Sequence, residues 1–93
     1  MTEQHFLALL RVAEAKREGD WYKARDGRYL TLYIAANGAS LTVARVDAVM
    51  LDGNLAQAKT SRGELFIFSL NDVYAASTDA PQTTSRKAGF ANG

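Results

Sequence analysis

The sequence predicts an α+β fold in which an N-terminal α-helix packs on a curved five- to six-stranded antiparallel β-meander, and three observations predict it. Apolar residues near the amino terminus recur with a period of 3.6, the period falls to 2 from Trp21 onward, and turn signals then follow at intervals too short for parallel crossovers. A chain of 93 residues has room for one core. Apolar types at 47% and charged types at 23% give the balance of a chain that folds.

The helix comes first. Phe6, Leu9, Leu10 and Ala13 follow the i, i+3, i+4, i+7 pattern that lines one stripe. Thr2 is positioned to cap it, Glu3 suits the positive end of the helix dipole, Lys16 and Arg17 suit the negative end, and Gly19 is the expected stop. The strands expected after it cover 21–25, 28–35, 41–50, 55–60, 64–69 and a last extended piece at 73–76.

Four connections join the first five of these strands. Asp26-Gly27 is the strongest hairpin signal, Asn37-Gly38 lies in the second loop, Asp52-Gly53-Asn54 forms the third, and Ser61-Arg62-Gly63 reads as a three-residue loop. Within 41–50, alternation puts Val43, Arg45, Asp47 and Val49 on one side, a mixture that calls for a bulge partway or for a second covering layer. Leu65-Phe66-Ile67-Phe68 is apolar on both faces, which predicts a central strand or a strand covered on both sides. Ser69-Leu70-Asn71-Asp72 reads as a 3₁₀ turn.

Composition then shifts. Residues 77–93 hold Phe90 as their only large apolar side chain and read as a disordered tail, leaving 1–76 as a single domain. The helix and meander of 2–76 resemble the layout of small SH3-like and Sm-like barrels, with a turn near Leu70 where such barrels have one, and the resemblance implies that the sheet can close. It is a resemblance of layout only: the strand after Asp26-Gly27-Arg28 lacks the glycine of the Sm pattern, and no Phe-Asp with a downstream Asn follows. Shared layout implies little about function.

Charge and residue types exclude more than they select. Eleven basic against ten acidic residues give +1, too little for a global field that would hold a polyanion or an anionic membrane. The absence of cysteine removes disulfides, thiolate metal sites and thiol nucleophiles. His5 is the only histidine and has no second imidazole to complete a metal site. No Gly-x-Ser-x-Gly turn, Gly-x-Gly-x-x-Gly loop or P-loop is present, and Asp47, Asp52, Glu64 and Asp72 are scattered over strands and turns. The expectation is a protein that is not an enzyme and needs no metal or cofactor. Phe6 to Leu10 is too short, and too close to Arg11 and Glu3, for a secretory signal, so the chain is expected in the cytoplasm, away from membranes.

The most concentrated basic feature is the ribbon expected at 21–34. Paired as a two-residue hairpin, it sets Arg25 across from Arg28 and Lys23 across from Leu30, with Tyr22, Tyr29 and Tyr33 on the other face. Lys23, Arg25, Arg28, Tyr29 and Tyr33 are the candidate binding surface. Two functions follow. The leading expectation is an interaction module that acts through a protein partner or a homodimer. The alternative is a weak RNA or single-stranded DNA binder, in which cations pair with phosphates and rings stack on bases.

Overall fold

The computed structural model describes residues 1–78. One helix, α1 (Glu3–Val12), is followed by seven strands: β1 (Lys16–Glu18), β2 (Trp21–Lys23), β3 (Leu30–Ala36), β4 (Ala39–Asp52), β5 (Leu55–Thr60), β6 (Leu65–Ser69) and, after a 3₁₀ turn at Leu70–Asp72, β7 (Val73–Thr78). All pairings are antiparallel. The fold is α+β as expected, with one more strand than the sequence indicated.

Thr2 caps α1 as expected, its hydroxyl accepting the His5 N–H. The helix stops earlier than Gly19. The Glu14 N–H donates to the Arg11 carbonyl and the Ala15 N–H to the Leu10 carbonyl, with Glu14 at φ 57, which is a Schellman close with glutamate in the left-handed position. Lys16, Arg17 and Glu18, good helix formers, instead make strand β1 and pair with β2 around Gly19-Asp20. Tertiary pairing outweighs their propensity, which is worth only tenths of a kcal/mol per residue.

Strand β4 is the spine of the sheet. β3 pairs with its first half, while β5 pairs with its second half on the opposite edge. β2 pairs with Ala48 and Val49 on the same edge that β3 occupies earlier in β4. β2 and β3 therefore run in line along one edge, and the hairpin expected at Asp26-Gly27 does not form. Arg28 N–H does close a turn onto the Arg25 carbonyl at 2.9 Å, but only Gly27 takes a positive φ. That is the type II pattern, which splays the flanking chain, whereas Asn37 and Gly38 both take positive φ and make the I′ turn that joins β3 to β4.

Two bulges settle the facing of β4. Leu30 and Leu32 pair with Val46 and Val43, so β4 carries one extra residue there, with Arg45 at φ 60. A second extra residue, Asp47, lies between the partners of Thr60 and Lys59. Each bulge shifts the alternation by one, and Val43, Val46 and Val49 all point inward. They meet Leu30, Leu32 and Ile34 from β3, Ala58 from β5, Val73 from β7 and Phe6, Leu10 and Ala13 from the helix segment.

Among the described residues the sheet does not close into a barrel: β6 pairs with β5 alone, and β7 with β3 alone. β6 is thus an edge strand, and neither central nor covered on both sides as its two apolar faces suggested. Ser77 and Thr78, counted above with the tail, are the last residues of β7 and pair with Thr31 and Leu30. The rest of the expected tail, 79–93, lies outside the described residues. Among the described residues no helix is long and apolar enough to cross a membrane.

Candidate interaction surface

The five residues expected to form one basic and aromatic ribbon are dispersed by the in-line arrangement of β2 and β3. Arg25 and Arg28 both turn to Glu14: Arg25 Nη1 lies 2.5 Å from Oε1 and Arg28 Nη2 lies 3.5 Å from Oε2. Arg28 also donates to the Val12 carbonyl and leaves only 14% of its side chain exposed, so it serves as a strut between helix end and loop. The two guanidiniums hold the Glu14 carboxyl below the usual glutamate range, Arg25 through its hydrogen bond first and then through charge, and Arg28 through charge. Tyr29 lies under the Arg45 guanidinium, 4.5 Å from the ring centre, and Tyr33 sits beside Tyr74, the extra residue of the β7 bulge. Among the described residues Lys23 is the one of the five cations and rings that is exposed with no ion pair or ring contact.

A cleft beside this loop is bordered by Lys16, Lys23 and Arg25 and by Glu14, Glu18 and Asp26. Equal numbers of each sign leave it electrically balanced. Among the described residues no three His, Cys, Asp or Glu side chains come together as metal ligands.

A different surface assembles on the outer face of the sheet, away from the core. Registers place its residues in rows across the strands. Lys16 faces Lys23, Lys23 faces Ala48, Ala48 faces Lys59 and Lys59 faces Leu65. In the next row Glu18 faces Trp21, which lies one residue beyond the Tyr22–Val49 pair on the side of Met50, and Met50 faces Gln57, which faces Ile67. Leu55 and Ser69 continue the face at the far end of β5 and β6. The Lys59 ammonium sits over the Trp21 ring at 4.9 Å, which confirms that these side chains share one face. Leu65 is 51% and Ile67 62% exposed, and Leu55 is exposed beside them, while Trp21 and Met50 are half-buried.

No protein family, curated protein or solved structure matches this chain. The surface is therefore read from its own chemistry. The sequence signal for it was the run Leu65-Phe66-Ile67-Phe68. Phe66 and Phe68 pack on the core from inside, and Leu65 and Ile67 are left on the outside of a strand that pairs on one side only. Trp21 and Lys59 come together only because β2 and β5 flank opposite edges of β4, a juxtaposition with no local sequence signal.

Proposed function

We propose that this protein is a small non-enzymatic interaction module that works through protein contact on the outer face of β2, β4, β5 and β6. One observation carries the reading: Leu55, Leu65 and Ile67 stand exposed on the same face of the β5–β6 ribbon, with Gln57 between Ile67 and the half-buried Met50. Scattered apolar residues are ordinary on a surface, but exposed apolar side chains gathered on two neighbouring strands, with Lys59 beside Leu65 and Gln57 beside Ile67, have the make-up of a contact site. The test is a pull-down from the cells of origin with the wild type and with Leu65→Ser plus Ile67→Ser, alongside light scattering. Loss of retained protein or of self-association in the variant supports the reading, and a monomer that retains nothing in either form contradicts it.

A second reading has its own observation. Lys16, Lys23 and Lys59 lie in one row with Trp21 under Lys59, a combination suited to a short single strand of RNA or DNA. Titration with an oligonucleotide at low salt tests it, since each phosphate-pairing lysine replaced by alanine lowers the logarithmic salt slope by about 0.7. Absence of binding at low salt removes this reading.

A further inference from the structure

Among the described residues three that are not glycine take a positive φ: Glu14, Asn37 and Arg45. Glu14 closes the helix, and Asn37 sits in a turn that suits asparagine. Arg45 stands inside β4, at a left-handed bulge position of the kind that glycine usually fills. A long side chain kept where glycine would relax the backbone points to a use for that side chain.

The fold fixes where it can act. The Arg45 carbonyl accepts the Ser61 N–H at 2.9 Å, its Nε donates to the Ser61 hydroxyl at 3.2 Å, and its guanidinium covers the Tyr29 ring. One edge and one face of the guanidinium are used in this way, and the two Nη groups are left to donate. The backbone at Arg62, the next residue of the loop, is held by its N–H donating to the Thr60 hydroxyl at 3.3 Å and by the Gly63 N–H closing onto the Thr60 carbonyl. Arg45 and Arg62 border one groove of about 260 Å³, between the first half of β4 and the loop that joins β5 to β6.

The ion pairs among the described residues both belong to Glu14, so neither guanidinium of the groove is neutralised by a carboxylate. Glu64 also borders the groove, but its Oε1 accepts the hydroxyl of the buried Thr60, which ties that carboxyl to β5. β5 takes up its pairing with β4 only at Val46, leaving the first half of β4 with an open edge on this side. Counted from the turn at Asn37-Gly38, the bonded pairs with β3 are Ala36–Ala39, Ile34–Leu41 and Leu32–Val43. The Thr42 N–H therefore points away from β3, toward the groove that Thr42 lines, and the half-buried Phe66 supplies an apolar wall.

Two guanidinium forks and a backbone N–H on one groove are the parts of an oxyanion receptor. Two cations match a dianion, and the phosphate of a monoester carries about that charge with three oxygens to accept from the three donors. The volume lies just below the roughly 300 Å³ at which whole small-molecule sites begin, so the groove takes the charged end of a ligand whose carbon skeleton rests on Phe66. We propose that the groove bordered by Arg45, Arg62 and Thr42 is a binding site for a small phosphate monoester, held by its terminal phosphate. It uses no residue of the contact face and goes beyond that reading.

The experiment is an NMR titration of the full chain with inorganic phosphate and with phenyl phosphate at fixed ionic strength, with circular dichroism to establish folding of each variant. Saturable shifts are expected at the Arg45 Nε–H and at the Thr42 and Ser61 amides, with phenyl phosphate the tighter ligand. Arg45→Gly, which suits the left-handed backbone, and Arg62→Gln, in an exposed loop, each weaken phenyl phosphate by at least about tenfold. Glu64→Gln keeps an acceptor for Thr60, removes the negative charge and tightens binding. Arg11→Gln, an exposed arginine of α1, leaves it unchanged. Shifts that do not saturate, that acetate reproduces, or that survive both Arg45→Gly and Arg62→Gln overturn the proposal. Equal binding in this groove of a single-stranded oligonucleotide without a terminal phosphate overturns it too, since the groove then reads phosphodiesters.

Discussion

Phe6→Ala tests whether the helix holds the sheet. Phe6 is 0% exposed and sits in the core with Leu10 against residues of β3, β4 and β7, so truncation removes a buried ring from a site that the rigid sheet cannot refill. The cost for such a change is about 3 to 5 kcal/mol. At roughly 0.05 to 0.15 kcal/mol per residue, the 78 described residues have a total stability of about 4 to 12 kcal/mol. The variant thus loses between a quarter and all of it. With a urea slope near 1 kcal/mol per molar for a protein of this size, the unfolding midpoint falls by about 3 M or more. Urea titration followed by Trp21 fluorescence and far-ultraviolet circular dichroism reads it. Val12→Ala is the control, since Val12 is 61% exposed on the same helix and its truncation stays within about 0.5 kcal/mol. A Phe6→Ala midpoint within about 1 M of the wild type refutes the seating of α1 on this core.

Three other outcomes follow from particular residues. Gly38→Ala lowers stability by about 1 to 2 kcal/mol in the same assay: an added Cβ meets nothing within 4 Å, so the cost is that of the left-handed conformation alone. Arg28→Ala lowers stability by about 1.5 to 3 kcal/mol by removing the donor to the Val12 carbonyl, whereas Arg25→Ala, mostly exposed, costs at most about 1 kcal/mol, the part carried by its ion pair with Glu14. Glu14 has a folded-state pKa below its unfolded one, so its contribution is complete above the usual glutamate range and is lost as pH falls through the lowered folded value. Urea midpoints measured from neutral pH downward decline accordingly, and Glu14→Gln removes that part of the decline.

Much of the fold was legible because its signals are local. The cap at Thr2, the apolar stripe through Leu10, the turns at Asn37-Gly38 and Gly53-Asn54 and the three-residue loop before Glu64 each rest on residues adjacent in the chain. What was not legible depends on distant partners. Lys16 to Glu18 read as helix until β2 is present to pair with them. Asp26-Gly27 read as a hairpin, yet an Arg25–Arg28 opposition is unfavourable, and Glu14 offers both cations a partner from the other end of the helix segment. The left-handed Arg45 has no sequence marker, and without it the facing of β4 cannot be assigned. The candidate surface followed the same division. Cations were visible, but which of them the fold consumes was not, and the strip at Leu65 and Ile67 was seen as apolar without being placed at an edge.

Amide hydrogen exchange along β6, measured by NMR over a dilution series, tests the central claim that this strand is a free, pairing-competent edge. Phe66 and Phe68 amides are protected by β5 while Leu65, Ile67 and Ser69 exchange rapidly. Protection of all five at every concentration contradicts the account, since it places another strand of the same chain along the edge.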